Sequence, residues 1–377
     1  MIKYLSEINK NELAGKKVLV RVDFNVPVKG KEIEENYRVK AHKETIDYLI
    51  DKGAKVLLIS HITTIDSFNP IVESLSLCLD QVITMVPLAE LGSVDTLFQV
   101  SPVLLLDNIR QDKREEKNDM EFALDLSKGF DFYINDAFSA SHRSHASISA
   151  IAKILPSYGG FLMKKEIENL SKALSEPAEG KIVILGGAKI STKLPVIKNF
   201  LDKAEKILVG GAIANNFFRA QGFETGISVV DDTISADINN PKVILPEDFI
   251  TSGDLSGKDF PSYHKEISDI PKSEAIVDIG TKTIDNYNQI ISQSSMIIWN
   301  GPMGIGEIKQ FAAGTNAIAA AVARISNSII GGGDTIAAVD KIGLLDKYSF
   351  VSTSGGAMLE FLAGEKLSGL EALGYYE

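Results

Sequence analysis

Residues 181–193 have the sequence KIVILGGAKISTK, in which a run of mostly β-branched aliphatic residues ends in two glycines. A short apolar run of this kind is typical of a strand that is buried on both faces, as in a parallel sheet covered by helices. Lys189 and Lys193 follow the glycines at a spacing that places both on one face of a helix. The segment therefore predicts a buried strand, a glycine turn and the first turns of a helix.

The same pattern recurs along the chain, with stretches of helix length between the apolar runs. The other runs are VLVRVDFNV (18–26), AKVLLISH (54–61), PVLLLDN (102–108), DFYINDAF (131–138), KILVGG (206–211), MIIWNGP (296–302), SIIGGGDT (328–335) and FVSTSGG (350–356). Alternation of buried strands and helices is typical of α/β proteins. We therefore predict an α/β fold with two Rossmann-like parallel-sheet domains.

Length and composition indicate an ordinary two-domain globular protein. A chain of 377 residues is long enough for two domains of common size. The contents of 45% apolar and 24% charged residues exclude the disordered and fibrous classes. We predict a first domain over 1–160, a hinge helix and linker over 161–180, and a second domain over 181–357. The polar stretch at 164–181 ends in a proline break, which is why it is the candidate connection.

The charge balance and the cysteine content restrict the partners and the compartment. With 39 Lys and Arg against 50 Asp and Glu, the formal net charge is −11, which argues against nucleic acid or an anionic membrane as a partner. No apolar stretch is long enough to span a membrane. The single cysteine, Cys78, excludes an intrachain disulfide, and the N-terminal residues lack the apolar core of a signal peptide. We expect a cytoplasmic protein.

The strands of the second half end in glycines, which indicates a nucleotide site. Backbone approaches a phosphate closely where residues lack a Cβ, and a helix that starts there presents free N–H groups to the anion. Two lysines beside a helix start are favourable when an anion lies between them. Tight strand-to-helix turns alone would also require glycine. No GxxxxGK[ST] motif occurs, so the chain is not an ordinary P-loop protein. The lack of a GxGxxG motif followed by a ribose-binding acid weakens the interpretation as a dinucleotide-binding protein.

Asp334, in the glycine-rich GGGDT segment at 331–335, has two interpretations. A carboxylate near a nucleotide is a usual oxygen ligand for phosphate-bound Mg²⁺. Aspartate is also a good helix N-cap residue, and the two roles are compatible.

The first half gathers cationic and potentially cationic side chains near its strand ends. They are Arg21, Arg38, Arg110, Arg143, His61, His142 and His145. Arginine binds phosphate and carboxylate through its planar fork, so the cluster predicts a small, doubly anionic substrate. Taken singly, each arginine is better explained as part of a surface ion pair. The two neighbouring histidines would need a third ligand to bind a metal.

Taken together, these segments resemble the phosphoglycerate kinase family. RVDFNVPVKG, YRVKAHKETIDYLIDKGAKVLLISH, VLLLDNIR followed by EEKND, INDAFSASHRSHAS, LGGAKISTK, WNGPMGIGE with FAAGT, GGGDTIAAV and VSTSGGAMLEFLAGEKLSGLEAL occur in that family's order. The resemblance implies a glycolytic kinase with a hinge, which transfers phosphate directly between 1,3-bisphosphoglycerate and ADP to give 3-phosphoglycerate and ATP. It also implies Mg²⁺ with the nucleotide, a monomer, and a C-terminal segment, 358–377, that folds back onto the first domain.

The resemblance also implies site residues by motif. The acid-substrate site falls on Asp23, Asn25, Arg38, His61, Arg110 and Arg143. The nucleotide site falls on Gly187, Lys189, Lys193, Gly210, Gly211, Asn300, Pro302, Glu307, Gly333, Asp334 and Thr335, with Glu307 as the ribose ligand and Asp334 holding Mg²⁺ through the nucleotide. The catalytic positions fall on Arg38, Lys189, Gly332 and Gly355.

The chain departs from that family's pattern directly after His61. The family usually has LGRP there, whereas this chain has Ile62, Thr63 and Thr64, so one phosphate-binding arginine is missing. Two alternatives therefore stay open beside a phosphoglycerate kinase. One is a kinase for a different acidic substrate, and the other is a nucleotide-binding protein with impaired turnover.

Overall fold

The computed structural model describes residues 2–231, 240–256 and 263–377. The chain divides into two compact units, one formed by Met1–Glu168 with Lys366–Glu377 and the other by Asn169–Glu365. Each unit contains a six-stranded parallel sheet with helices between its strands, which confirms the predicted α/β class.

The first unit is built on strands β1 to β8 and helices α1 to α6. The strands are β1 (Lys17–Arg21), β2 (Val28–Lys29), β3 (Glu32–Ile33), β4 (Lys55–Ile59), β5 (Thr84–Val86), β6 (Val103–Leu106), β7 (Phe132–Asn135) and β8 (Ser157–Gly159). The helices are α1 (Asn36–Lys40), α2 (Lys43–Asp51), α3 (Val72–Leu79), α4 (Val94–Leu97), α5 (Met120–Ser127) and α6 (Phe161–Ser175). The parallel sheet has the order β5-β6-β4-β1-β7-β8, and β2 and β3 form a separate hairpin.

The second unit contains strands β9 to β17 and helices α7 to α12. The strands are β9 (Lys181–Leu185), β10 (Lys206–Val209), β11 (Val243–Ile244), β12 (Asp248–Ser252), β13 (Tyr263–Glu266), β14 (Ala275–Ile279), β15 (Met296–Asn300), β16 (Ser328–Gly331) and β17 (Phe350–Ser352). The helices are α7 (Ile190–Phe200), α8 (Gly211–Ala220), α9 (Thr281–Ser292), α10 (Ala313–Val322), α11 (Gly333–Lys341) and α12 (Gly356–Leu362). The parallel sheet has the order β11-β10-β9-β15-β16-β17, and β13-β12-β14 form a smaller antiparallel sheet.

Burial on both faces of the sheet explains the continuous apolar runs. In β1, Val18 and Val20 pack into one apolar layer, and Leu19 packs into the layer on the opposite face. Each predicted run contains a strand of one of the two parallel sheets. Sequence patterning missed the edge strands β5, β8 and β11, each of which has three residues or fewer.

Helix α6 lies where a connecting helix is predicted, and the chain passes from the first unit to the second within it, after Glu168. The helix ends at Ser175, ahead of the proline break. The buried ammonium of Lys181, at the start of β9, donates to the carbonyl oxygens of Ala173 at 2.7 Å and Glu176 at 2.6 Å. A cation is favourable at this end of a helix because the last carbonyl groups lack helical partners.

The C-terminal return to the first unit is shorter than the predicted segment 358–377. Helix α12 packs on α7, and the amide of Asn199 donates to the carbonyl oxygen of Leu362 at 2.6 Å, so residues up to Glu365 group with the second unit. Helix α13 (Ser368–Ala372) packs in the first unit, where the Gly369 N–H donates to the Ser141 carbonyl oxygen at 2.8 Å. None of the described helices is both long and apolar enough to cross a membrane.

We predict that replacing Lys181 with methionine lowers the free energy of unfolding by about 1–3 kcal/mol, because it leaves the Ala173 and Glu176 carbonyl groups without a donor. Urea unfolding followed by circular dichroism measures the change. Lys172→Met, at an exposed lysine of α6, is the matched control and should shift stability by less than about 0.5 kcal/mol. Equal losses in the two variants would contradict a capping role for Lys181.

Candidate functional site

The structure brings the predicted residues of the first unit together at one edge of its sheet. Strands β6, β4, β1 and β7 are neighbours and run parallel, so their carboxyl ends meet at this edge. The residues that follow them are Arg110 after β6, His61 after β4, Asp23 and Asn25 after β1, and Arg143 after β7, while Arg38 lies on α1.

Asp23 and Arg38 form the acidic and basic partners on one side of this cluster. The Arg38 guanidinium lies 3.8 Å from the Asp23 carboxylate and donates to the Asn25 carbonyl oxygen at 2.7 Å. The Ser139 hydroxyl also donates to the Asp23 carboxylate. Burial alone would raise the pKa of Asp23, but the charge of Arg38 and the hydrogen bond from Ser139 hold it well below its usual value. Asp23 is therefore an ionised group that orients Arg38.

His61 is held as a neutral ring with its proton on a defined nitrogen. The buried Arg21 donates to His61 Nδ1 at 3.0 Å, and arginine is always a donor, so Nδ1 accepts and Nε2 carries the proton. Burial, and after it the charge of Arg21, lowers the pKa of His61 to about 2. Nε2 lies 3.4 Å from the Arg143 guanidinium, which is also a donor. Two donors that face each other are suited to an anion bound between them.

A buried network that the sequence interpretation missed holds Arg21. Arg21 Nε donates to Ser147 Oγ at 3.0 Å, and Ser147 donates to both oxygens of Glu115, from its hydroxyl at 2.6 Å and from its N–H at 2.9 Å. Glu115 is only 1% exposed, and burial raises its pKa while Arg21 lowers it. The sole sequence signal was a glutamate at the start of EEKND, five residues after the predicted Arg110.

One further cation, Arg110, and two histidines complete the cluster. Burial, and after it the charge of Arg143, lowers the pKa of Arg110, which is expected for like charges held close together. His142 accepts from Arg143 at 3.3 Å, and His145 lies 3.8 Å from Glu115. The two histidines thus border the arginines, and among the described residues no group of three or more His, Cys, Asp or Glu side chains could hold a metal ion.

The segment after His61 is ordered by hydroxyl groups where the family usually has an arginine. The N–H and hydroxyl of Thr63 both donate to Asn25 Oδ1 at 2.9 Å, and the Thr64 hydroxyl donates to the Val26 carbonyl oxygen at 3.2 Å. The Asn108 amide donates to the Ile62 carbonyl oxygen at 2.9 Å. Residues 62–66 therefore hold a fixed conformation but bring no cation to the cluster.

The second unit gathers its predicted residues at the carboxyl ends of the neighbouring strands β10, β9, β15, β16 and β17. These residues are Gly210 and Gly211 after β10, Gly187, Lys189 and Lys193 after β9, Asn300 at the end of β15 with Pro302 and Glu307 after it, Gly332, Gly333, Asp334 and Thr335 after β16, and Gly355 after β17.

The glycines of these loops fall into two groups. A Cβ at Gly301 would lie 2.2 Å from the Gly186 carbonyl oxygen, and Gly301 has a φ of +97°, which side-chain-bearing residues rarely adopt. A Cβ at Gly211 would lie 2.7 Å from the Gly187 nitrogen. Glycine is required there because the loops pack on each other. By contrast, a Cβ at Gly333 would meet nothing within 4 Å, so its backbone faces open space.

Lys189, Lys193 and Asp334 form the charged part of the second site. Lys189 is exposed and occupies the N-cap position of α7 with an extended backbone conformation. The prediction that Lys189 and Lys193 share one helix face is therefore wrong. Lys193 is 9% exposed, and burial lowers its pKa, while Asp334 raises it. The N-cap interpretation of Asp334 is wrong: Gly332 occupies that position with a φ of +95°, and Asp334 lies in the first turn of α11.

A cavity of about 240 Å³ opens beside these loops within the second unit. Five of the predicted residues line it, namely Gly187, Gly211, Pro302, Glu307 and Asp334. Its other walls are mostly apolar, and part of them comes from the antiparallel sheet, including Phe249 and Val277, which could not be assigned because that sheet was not predicted. Thr335 lies beneath the loops, where its buried hydroxyl accepts from the Gly301 N–H at 2.7 Å.

Comparison with known proteins identifies the family. The sequence model of the phosphoglycerate kinase family matches residues 8–365. The chain belongs to the phosphoglycerate kinase family. It is 42% identical to the phosphoglycerate kinase of Dictyoglomus turgidum, with 98% of each chain covered, and 41% identical to that of Herpetosiphon aurantiacus, with 96% of each covered.

Solved structures of phosphoglycerate kinases have the same fold. The structure from Pyrococcus horikoshii OT3 matches with a TM-score of 0.88 at 33% identity, covering 99% of this chain and 98% of that one. The structure from Coxiella burnetii matches with a TM-score of 0.82 at 34% identity over the full length of both chains. Nothing in these comparisons supports either alternative, a different acidic substrate or a protein without turnover.

The two glycine groups predict different results for alanine substitution. Gly301→Ala should lower the free energy of unfolding by more than about 3 kcal/mol, because both the φ of +97° and the contact with Gly186 oppose a Cβ. Gly333→Ala is the matched control and should change it by about 1 kcal/mol or less. Urea unfolding of both variants is the measurement, and similar losses would show that the loops do not need glycine for packing.

Proposed function

We propose that the chain is an active phosphoglycerate kinase, which reversibly transfers a phosphoryl group from 1,3-bisphosphoglycerate to ADP and gives 3-phosphoglycerate and ATP. The observation that carries this function is the presence, in one chain of this family, of an anion-binding cluster in the first unit and of open glycine loops beside a cavity in the second. These features match the two substrates of the reaction, a phosphorylated acid and a nucleotide.

The acid substrate is proposed to bind in the first unit. His61 Nε2–H and Arg143 face each other as donors, and Arg110 carries a further positive charge beside them. Guanidinium groups bind phosphate through paired N–H donors, so these three residues suit the phosphate of 3-phosphoglycerate. Asp23, Asn25 and Arg38 lie on the other side of the cluster and are assigned to the acid end of the same molecule.

The nucleotide is proposed to bind in the second unit. The mostly apolar cavity suits a purine ring, and the exposed carboxylate of Glu307 at its wall suits the ribose hydroxyl groups. The phosphates would lie against the starts of α7 and α11, where free N–H groups and Lys193 are available. Asp334 is exposed, lines the cavity and offers a carboxylate, the ligand type that Mg²⁺ prefers. When bound, Mg²⁺ would neutralise charge on the nucleotide phosphates.

Direct phosphoryl transfer asks the protein to align two oxygens and to neutralise charge on the moving group. We assign Lys189 to bind the transferring phosphoryl group and Arg38 to bind the acyl-phosphate oxygens. The loops at Gly332 and Gly355 are assigned to lie beside the transferring group. Because the two substrates bind to different units, transfer requires a hinge movement, and α6, which crosses the boundary, is the proposed hinge. Closure also excludes water that would hydrolyse the acyl phosphate. The cytoplasmic location and the monomeric state stay predictions.

Lys189→Ala should lower kcat by about a hundredfold or more, with a smaller effect on the KM for Mg-ATP, because its charge is needed most in the transition state. The measurement is steady-state turnover of Mg-ATP and 3-phosphoglycerate in a coupled assay. Lys198→Ala, at an exposed lysine on the same helix, is the control and should retain wild-type kcat. A decrease of less than tenfold for Lys189→Ala would refute the role assigned to it.

Thr64→Arg should lower the KM for 3-phosphoglycerate by about 10- to 150-fold, because it restores one charged hydrogen-bond partner for the substrate. The KM for Mg-ATP should not change. Thr64→Gln has a long side chain without the charge and should not reproduce the effect. If Thr64→Arg leaves the KM for 3-phosphoglycerate unchanged, binding of the acid does not depend on a cation at position 64.

A further inference from the structure

A buried chain of hydrogen bonds connects the acid site to the first turn of α6. The Asp23 N–H donates to His42 Nε2 at 2.9 Å, and His42 Nδ1 lies 3.0 Å from Asp136 Oδ2. The other oxygen of Asp136 accepts the N–H groups of Leu162 at 3.0 Å and Met163 at 3.3 Å. Both the His42 and Asp136 side chains are fully buried.

The direction of each hydrogen bond in this chain follows from the Asp23 backbone. A backbone N–H only donates, so His42 Nε2 accepts and the ring proton lies on Nδ1, from which it is donated to Asp136. The second Asp136 oxygen then accepts from α6, where a negative charge is favourable because the first N–H groups have no helical partner. Every donor is thus matched to an acceptor.

His42 does more than fill space in the core. Its ring packs edge-on against Phe24 with a centroid distance of 5.8 Å, a contact that an apolar ring would also make. An apolar ring would leave the Asp23 N–H and an Asp136 oxygen without partners. The Asp23 backbone carries the carboxylate that orients Arg38, and Asn25 N–H donates to that carboxylate at 3.1 Å. The position of His42 therefore affects three proposed substrate residues, Asp23, Asn25 and Arg38.

We propose that His42 is a positioning residue for the acid substrate. Through Asp136, it fixes the position of the segment Asp23–Asn25 relative to the first turn of α6. The inference rests on the proposed function, since it assigns Asp23, Asn25 and Arg38 to the acid substrate. Helix α6 continues past Glu168 into the second unit. The hydrogen bonds through His42 and Asp136 therefore attach the proposed acid site to the helix that joins the units.

The first test is His42→Phe, which keeps a ring against Phe24 and removes both hydrogen bonds. The KM for 3-phosphoglycerate should rise about tenfold or more, as expected when a charged site loses its alignment. The KM for Mg-ATP should stay within about twofold, because the nucleotide residues lie in the other unit. The variants are assayed at a temperature at which circular dichroism shows them folded.

Thr45→Val is the matched control for a purely structural effect. The buried Thr45 hydroxyl accepts the N–H of Phe161, also at the start of α6, at 3.0 Å, and has no hydrogen bond to Asp23. This variant should lose stability and keep the wild-type KM for 3-phosphoglycerate. An equal rise in that KM for Thr45→Val and His42→Phe would overturn the positioning role.

Two more variants test the hydrogen-bond polarity. In Asp136→Asn, the amide oxygen can keep the contacts to α6 while its NH₂ group faces His42, which moves the ring proton to Nε2 and opposes the Asp23 N–H. This variant should therefore raise the KM for 3-phosphoglycerate as His42→Phe does. His42→Gln carries an acceptor and a donor at its tip and should recover part of the loss. No recovery, or a wild-type KM in Asp136→Asn, would contradict the inference.

Binding of 3-phosphoglycerate, measured by calorimetry, separates this inference from the proposed function. If the wild-type protein binds and phosphorylates the acid but His42→Phe binds it equally well, the positioning role alone fails. If the wild-type protein does not bind the acid, the proposed function fails and the inference fails with it. Weaker binding by His42→Phe and Asp136→Asn, but not by Thr45→Val, supports the proposal.

Discussion

Both candidate sites depend on one geometric constraint, which is that strands running parallel end at the same edge of their sheet. In the first unit this constraint brings Arg110, His61, Asp23 and Arg143 from distant parts of the chain to neighbouring strand ends. In the second unit it brings together five strand-to-helix turns. An antiparallel sheet would send half of these residues to the opposite edge. The helices between strands are therefore needed for the sites as well as for the cores.

The two candidate sites offer different kinds of donor to a phosphate group. The first unit uses side chains. A buried network of Arg21, Ser147 and Glu115 orients one neutral histidine, His61. The second unit offers backbone N–H groups of its loops. Some of these loops pack so closely that position 301 has no room for a Cβ. Cationic side chains bind anions strongly, but buried acidic groups are needed to offset the repulsion between them. Backbone N–H groups are positioned by the fold itself.

The sequence predicted the central strands and the charged residues near them well, because both signals are local. Buried central strands require continuous apolar runs, and the candidate substrate residues follow those runs closely in the sequence. The antiparallel sheet, Glu115 and the His42–Asp136 pair were missed because their roles depend on partners far away in the chain. Asp334 was assigned as a possible cap because aspartate is a common one, but the turn needed a positive φ, which Gly332 adopts more easily. Such choices depend on backbone conformation, which residue type alone does not determine.

The absence of an arginine after His61 changes how the acid site must work. Thr63 and Thr64 fix their segment through hydroxyl and N–H groups, and Thr63 occupies Asn25 Oδ1 with two donors. The amide group of Asn25 is thereby oriented with its NH₂ free to face a ligand, because the oxygen is already engaged. The candidate site thus lacks this charge, but Asn25 is held by hydrogen bonds from Thr63. Since orientation contributes to binding as charge does, loss of one cation is compatible with turnover, and the affinity for the acid depends on how well Asp23 and Arg38 are positioned.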